Sequence, residues 1–277
     1  MRFRQAICNE IYKDWEFGAA CQAIKEAGYE GIEIAPFTLA ADPRSISADA
    51  RAGYRRMMAD AGLEFVGLHW LMVSPKGLHV TTPDAALREA SWNHIRHLID
   101  LCADLGRNGI MVFGSPQQRA TTGGISRTEA TRNFMDGLAS VAPYAEATGV
   151  TILVEALPRS QCDVITTLAE AAAVVDEIGS PNVRSMFDTH NAADEIEPHP
   201  VVLDRYFEYV RHVHVNEMDG KHPGTGDYDF SAIFEVLEHR GYQHWISLEA
   251  FDFTPGADTI ARESIAHIRE QMGEAGA

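Results

Sequence analysis

The chain has 277 residues, of which 45% are apolar and 23% charged, a composition that excludes a disordered or fibrous protein and suits one large α/β domain. Its 40 acidic residues outnumber its 23 basic residues, and the formal charge of −17 argues against nucleic acid or an anionic membrane as a partner. No linker or break in composition divides the chain, so we expect a single domain over residues 1–277.

Eight short apolar runs alternate with longer segments whose apolar residues have helical spacing. The runs predict strands over residues 3–8, 31–35, 64–70, 109–114, 150–157, 183–188, 211–216 and 245–250. Capping boxes beginning at Ser126 and Thr167 mark the starts of two helices. Eight strand–helix units predict a (β/α)8 TIM barrel of the α/β class. The alternative is an open doubly wound sheet, which is disfavoured because Asn9–Tyr12 lacks a glycine-rich phosphate loop.

Cysteine usage and apolar run length indicate where the protein works. The beginning of the chain carries no signal-peptide pattern, and no stretch is long and apolar enough to cross a bilayer. The cysteines are far apart and form no CxxC pair. They are Cys8, Cys21, Cys102 and Cys162. We therefore expect a cytoplasmic protein with buried free thiols.

Potential metal ligands stand at the carboxyl ends of four consecutive strands, where the functional residues of a TIM barrel lie. They are Glu155, Asp188, His214 and Glu249. Three converging carboxylates repel one another, and a divalent cation removes that repulsion. Oxygen ligands with one imidazole suit a hard or borderline ion, so we expect one divalent metal ion, first Mn²⁺, with Mg²⁺, Co²⁺ or Zn²⁺ as alternatives. His212 alternates with His214, and we expect one of them to face the barrel and the other the helices.

Two further strand ends carry residues suited to a substrate pocket. His69 and Trp70 end strand three, where we expect the imidazole to contact substrate or relay a proton and the indole to stack on the substrate. Packing at the barrel mouth is the alternative role of Trp70. Glu33 ends strand two as a candidate pocket acid, and an ion pair with Arg159 is the alternative explanation.

Five segments resemble the xylose isomerase-like superfamily of sugar isomerases and epimerases, in particular its ketose 3-epimerases and hydroxypyruvate isomerases. They are Ile152-Leu153-Val154-Glu155, Met186-Phe187-Asp188-Thr189, Val213-His214-Val215, Pro223-Gly224-Thr225-Gly226-Asp227 and Ile246-Ser247-Leu248-Glu249. The resemblance covers essentially the whole chain and is most specific over residues 150–251. It implies that His214 is the metal ligand and that His212 is structural.

The resemblance also implies a reaction. The four strand-end ligands would hold one divalent metal, which the carbonyl and hydroxyl oxygens of a sugar would chelate. Glu155 and Glu249 would act as the base and acid pair, with one removing a proton beside the carbonyl and the other returning one through a metal-stabilised enediolate. We therefore predict a metal-dependent sugar isomerase or epimerase of carbohydrate metabolism. Its partners would be a small sugar or keto-sugar and further copies of itself, as a homo-oligomer (dimer or tetramer).

Three positions depart from the ketose 3-epimerase pattern. Gln161 replaces a Glu, Asn191 replaces a His (with His190 displaced by one position), and Gly220 replaces an Arg. Those positions grip the reacting end of the sugar in that group, so a simple ketohexose 3-epimerase is disfavoured. The full predicted substrate-binding set is Glu33, His69, Trp70, Arg159, Gln161, His190 and Asn191.

Other functions are compatible with the same barrel. A lyase, dehydratase, decarboxylase or keto-glycoside-cleaving enzyme would use the same metal site on a keto-sugar-like substrate. A non-catalytic sugar-binding barrel would not need the opposed carboxylates of Glu155 and Glu249. The abasic-site endonucleases of the superfamily hold three zinc ions, and that ligand set is incomplete here because Asn191 and Asp229 stand where histidines are required.

Overall fold

The computed structural model describes residues 3–273 as a closed barrel of eight parallel strands surrounded by helices. The strands are β1 (Arg4–Cys8), β2 (Gly31–Ile34), β3 (Glu64–Leu68), β4 (Ile110–Phe113), β5 (Thr151–Val154), β6 (Val183–Asp188), β7 (Val210–Val215) and β8 (Trp245–Leu248). The helices are α1 (Phe17–Ala27), α2 (Ala48–Ala61), α3 (Ala85–Leu105), α4 (Pro116–Arg119), α5 (Arg127–Thr148), α6 (Leu168–Ile178), α7 (His199–Arg205), α8 (Phe230–His239) and α9 (Ala257–Gln271).

The order of strands around the barrel follows the chain, and β1 closes the barrel by pairing with β8. The predicted TIM barrel is therefore confirmed. Residues 1, 2 and 274–277 of the predicted domain lie outside the described residues. Among the helices of residues 3–273, none combines the length and apolar character needed to span a bilayer.

Several strands end earlier than the apolar pattern predicts. β5 ends at Val154 rather than at residue 157, and β8 ends at Leu248 rather than at residue 250. Glu155, Leu157, Glu249 and Ala250 stay buried beyond these ends, and the N–H groups of Glu155 and Glu249 still donate to carbonyls of the neighbouring strands. An apolar run reports burial and not strand pairing, so it continues into the covered mouth of the barrel.

The helices follow the expected local rules. Oγ of Ser126 accepts a hydrogen bond from the Glu129 N–H, and Oγ1 of Thr167 accepts one from the Glu170 N–H, which confirms the two predicted helix starts. In α8 the buried side chains recur at helical spacing and form one face against the barrel. They are Phe230, Ile233, Phe234 and Leu237.

Strand register brings the polar strand-end residues side by side. Cys8 on β1 pairs with Glu33 on β2, and Asp188 on β6 pairs with His214 on β7. Below them, Val112, Leu153 and Met186 form a separate buried apolar cluster. Leu153 and Met186 stand two residues before Glu155 and Asp188, and residues two apart on a strand share a face. The polar cluster thus lies on an apolar layer inside the barrel.

Candidate metal centre and active site

The four predicted ligands converge at the carboxyl ends of β5 to β8. One ligand atom from each lies within 4.8 Å of the ligand atoms of the other three, and all four side chains are buried. The residues are Glu155, Asp188, His214 and Glu249. Nδ1 of His214 lies 3.2 Å from Oε2 of Glu249 and 3.6 Å from Oδ2 of Asp188. The structure therefore brings the predicted set together around one small space.

Two neighbours hold Glu155 in this cluster. Nδ2 of Asn191 donates a hydrogen bond of 2.8 Å to Oε1 of Glu155, and the Asn191 N–H donates one of 2.7 Å to Oδ1 of Asp188. Gly114, which follows β4, leaves room on the other side. A Cβ atom at Gly114 would stand 2.1 Å from Oε2 of Glu155, so no larger residue fits while that carboxylate keeps its place.

The electrostatics of the cluster are those of an acidic site that needs a cation. Burial, together with the negative charges of Asp188 and Glu249, raises the pKa of Glu155 to about 8. Burial also raises the pKa of Asp188. Within residues 3–273, the only basic side chains that form ion pairs with these three carboxylates are histidines. Three carboxylate donors and one imidazole, buried and mutually close, fit a divalent cation.

Glu33 lies behind His214 inside the barrel. Nε2 of His214 lies 3.1 Å from Oε1 of Glu33, and Nε2 of His212 lies 2.8 Å from Oε2 of the same carboxylate. Each Nε2–H donates to Glu33, which leaves Nδ1 of His214 free to face the acidic cluster. A carboxylate that accepts from the far nitrogen of a ligand histidine fixes the tautomer and the orientation of its ring.

This geometry corrects two expectations. His212 and His214 both face the barrel interior; the expectation that one would face the helices was wrong, because residues two apart on a strand point to the same side. The alternative pairing of Glu33 with Arg159 was also wrong. Glu33 is fully buried between the two histidines, whereas Arg159 is exposed and its N–H donates to Asp194 on the loop after β6.

A cavity of about 380 Å³ opens above the cluster. Glu155 and Glu249 both line it, as do four residues of the predicted substrate-binding set. Those four are His69, Trp70, Gln161 and Asn191. The other three do not line the cavity. They are Glu33, Arg159 and His190.

The two strand-three residues contact Glu249. Nε1 of Trp70 donates a hydrogen bond of 2.8 Å to Oε1 of Glu249, and Nδ1 of His69 lies 3.4 Å from the same oxygen. Trp70 has a positive φ of 51°, a conformation that costs a non-glycine residue energy and clusters at functional sites. The indole therefore fixes a carboxylate as well as forming part of the pocket wall.

Three predicted residues, His190, Gln161 and Asn191, form a polar chain that reaches Glu155. Nδ1 of His190 donates to the Met218 carbonyl at 2.8 Å, so its Nε2 accepts from Nε2 of Gln161 at 3.3 Å. Nε2 of Gln161 also lies 3.3 Å from Oδ1 of Asn191, which in turn holds Glu155. His190 thus acts on the pocket through Gln161.

Position 220, where the ketose 3-epimerase pattern has an Arg, is closed by an aromatic ring. A Cβ atom on Gly220 would stand 2.7 Å from Cδ2 of Phe251, and Gly220 has a φ of +78°. The Phe251 ring packs against Trp70 with 6.0 Å between ring centroids. The pocket therefore has an apolar aromatic wall at this point.

Sequence reasoning missed Glu10 and Cys8. Both are buried beside the candidate centre, Cys8 as the last residue of β1 and Glu10 in the short 3₁₀ turn that follows it. Nε2 of His69 lies 2.9 Å from Oε2 of Glu10. From the sequence, the segment Asn9–Tyr12 was interpreted only as lacking a glycine-rich phosphate loop. The signal that could have identified Glu10 is an acidic residue two positions after the end of the first strand.

Comparison with known proteins identifies the family of the chain. The family model described as the xylose isomerase-like TIM barrel matches residues 21–271. The L-ribulose 3-epimerase of Mesorhizobium japonicum is 27% identical over 230 residues, which cover 82% of this chain and 73% of that protein. Further curated relatives include a ketose 3-epimerase of Arthrobacter globiformis, 26% identical over 189 residues, which cover 66% of this chain and 63% of that protein.

Solved structures share the fold over nearly the whole chain. A D-psicose 3-epimerase crystallised in the presence of D-fructose has a TM-score of 0.84 at 20% identity, covering 98% of this chain and 100% of that one. A 3-keto-D-glucoside 4-epimerase from E. coli has a TM-score of 0.83 at 21% identity, covering 97% and 99%. With the family model matched over most of its length, the chain belongs to the xylose isomerase-like TIM-barrel family.

Proposed function

We propose that this protein is a divalent-metal-dependent sugar epimerase or isomerase that removes and returns a proton beside a ketone carbonyl. The observation that carries the proposal is the placement of Glu155 and Glu249. Both belong to the cluster of four close ligands and both line the same cavity. The names of the curated relatives, which are epimerases of ketoses, support a sugar as the substrate.

The cation would be held by Glu155, Asp188, His214 and Glu249, and Mn²⁺ is the ion that we expect from their oxygen-rich donors. Bound there, it would stabilise the negative charge that develops on the substrate oxygens in an enediolate. A proton beside a ketone is too weakly acidic for a carboxylate base near neutral pH without such stabilisation. The four ligand side chains are buried, and burial strengthens the electrostatic interactions among them.

Glu155 and Glu249 would act as the acid and base. Asn191 holds the carboxylate of Glu155 through one oxygen, while Trp70 and His69 hold one oxygen of Glu249. Each carboxylate is thus fixed in orientation before substrate binds, which lowers the cost of proton transfer. A substrate carbon in the cavity between them would be deprotonated by one carboxylate and reprotonated by the other.

The pocket wall indicates how the sugar lies. Trp70 and Phe251 form an aromatic pair at the mouth, suited to the apolar face of a sugar. Phe251 covers the position at which the ketose 3-epimerase pattern has an Arg, so the substrate end there is held by packing rather than by a charged hydrogen bond.

The homo-oligomeric state and the cytoplasmic location stay predictions.

Exchange with solvent deuterium tests the proposal. The protein is incubated with Mn²⁺ in D₂O with a panel of ketoses (D-psicose, L-ribulose, D-tagatose) and a 3-keto-glucoside. We expect deuterium at the carbon next to the carbonyl together with interconversion of epimers or isomers. Exchange accompanied by loss of water, carbon dioxide or an aglycone would replace the isomerase by a lyase. Binding without exchange for every sugar would overturn the catalytic assignment.

Glu33 provides a separate prediction about the cation. Because Glu33 accepts hydrogen bonds from both His214 and His212, Glu33→Gln removes the charge that orients the ligand imidazole. We expect Mn²⁺ affinity to fall by about 10–100-fold, with turnover at saturating Mn²⁺ much less affected. Calorimetric titration with Mn²⁺ measures the change. The matched control is Glu64→Gln, which changes an exposed acid at the first residue of β3, the strand end away from the site. Equal Mn²⁺ affinities of the Glu33→Gln and Glu64→Gln variants would contradict the role of Glu33.

A further inference from the structure

A second group of metal-ligating side chains lies beside the first. Cys8 ends β1, Glu10 lies in the turn after it, and His69 follows β3. One ligand atom from each of these residues and one from Glu249 lie within 4.8 Å of one another. All four side chains are buried. Apart from Glu249 and its neighbour His69, this group has no part in the proton transfer proposed above.

The main observation is the burial of the Glu10 carboxylate. Glu10 is 2% exposed, and neither of its carboxylate oxygens has a hydrogen-bond partner. Within residues 3–273, its one ion-pairing neighbour is His69, and no Lys or Arg approaches it. A carboxylate buried in this way is strongly destabilising unless a proton neutralises it or a positive group binds it.

His69 and Glu10 lie close enough to share one ion. Nε2 of His69 lies 2.9 Å from Oε2 of Glu10, at ion-pair distance but without the angular geometry of a hydrogen bond. Bonds of about 2.0–2.2 Å from one ion place a nitrogen and a carboxylate oxygen about 3.4 Å apart in a tetrahedral site and about 3 Å apart at a ligand angle near 90°. A cation bound here would need a small opening between the two atoms, from 2.9 Å to the separation of a tetrahedral site.

We propose that Cys8, Glu10 and His69 bind a second divalent cation of the zinc class. A thiolate, an imidazole and a carboxylate form a borderline donor set that suits Zn²⁺ better than Mn²⁺ or Mg²⁺. Binding would release the thiol proton of Cys8 to solvent, since the thiolate is the ligand. Two of the three ligands come from β1 and its turn, so this set differs from the three-zinc set considered above.

The second ion would act on the first site through His69. With Nε2 on the ion, Nδ1 carries the hydrogen and points to Oε1 of Glu249, 3.4 Å away. Glu249 would then be a ligand of the first cation and an acceptor for a ligand of the second. The arrangement would orient Glu249, a positioning effect that goes beyond the proposed function and shares only this residue with it.

Cobalt substitution tests the second site without measuring activity. The protein is freed of metal with a chelator, reloaded with Co²⁺ and examined for the near-ultraviolet charge-transfer band that a thiolate ligand produces. We expect the band in the wild-type protein and its loss in Cys8→Ser. The control Cys102→Ser removes a buried thiol on α3 and should keep the band. Absence of the band in wild-type protein at saturating Co²⁺ would overturn the proposal, whatever the variants do.

Zinc stoichiometry separates this inference from the proposed function. Equilibrium dialysis should give two equivalents of Zn²⁺ for wild type and one for Cys8→Ser, and Glu10→Gln should weaken the same equivalent. Asp188→Asn, which alters only the first site, should lose Mn²⁺ binding and keep the cobalt–thiolate band. Unchanged zinc stoichiometry in Cys8→Ser would overturn the second site alone. Unchanged Mn²⁺ binding in Asp188→Asn would instead count against the first.

Discussion

The Glu155→Gln and Glu249→Gln variants are each expected to lose turnover by about 10²–10⁴-fold, the contribution of a positioned acid or base. A carboxamide neither accepts nor returns the proton, and it also removes one negative ligand from the cluster. The loss should therefore appear in kcat for deuterium exchange as well as in Mn²⁺ affinity. Turnover is measured at Mn²⁺ concentrations that saturate each variant, so that the proton-transfer defect is seen separately from weaker binding.

The control for these variants is Glu64→Gln, which makes the same chemical change on β3 outside the site. It should keep wild-type turnover. Since the two carboxylates act on the same carbon from different positions, the double variant should be little worse than either single variant. Wild-type-like exchange in either single glutamine variant would show that the assigned pair does not transfer the proton.

Removal of divalent metal is expected to abolish turnover and to lower stability, and Mn²⁺ should restore both. An ion that binds only the folded protein stabilises it by about 2.7 kcal/mol when present at 100 times its dissociation constant. A chain of this size should then melt several degrees higher, at roughly 2–4 °C per kcal/mol. Thermal unfolding with and without Mn²⁺, and activity after chelation, measure the two effects. Turnover by protein shown by elemental analysis to be free of metal would contradict a metal-dependent reaction.

Metal binding should also depend on pH in a defined direction. The pKa of Glu155 is raised from the ordinary 4.5 to about 8, first by burial. Between these two values the folded protein without metal holds a proton that the unfolded chain has released, so its stability falls as the pH rises. A cation competes with that proton. Mn²⁺ affinity, and the stabilisation by Mn²⁺, should therefore grow from about pH 5 to about pH 8.

Much of this protein can be predicted from local sequence. The eight apolar runs alternate with helical patterns, and that alternation is enough for a TIM barrel because parallel strands need crossover helices. The candidate metal site is also predicted from local sequence, because the carboxyl ends of parallel strands meet at one mouth of the barrel. The sequence alone therefore predicts that four residues are neighbours, namely Glu155, Asp188, His214 and Glu249.

Local sequence patterns do not predict the partner of a side chain when that partner lies on a distant strand. Glu33 and His212 come together across the barrel interior, 179 residues apart in the chain, and no local spacing encodes that contact. Phe251 covers Gly220 only because the loops after β7 and β8 meet at the mouth. Partners of this kind depend on which way each side chain points across a closed interior.

The sequence alone determined the strand–helix alternation and the acidic strand ends, because both are read from residues close in the chain. Only the tertiary structure decided that Cys8, Glu10 and His69 meet beside Glu249. That meeting needs β1 to pair with β8, a closure that joins the two ends of the chain. The physical reason is that barrel closure and strand register, which no short segment contains, set the distances across the interior.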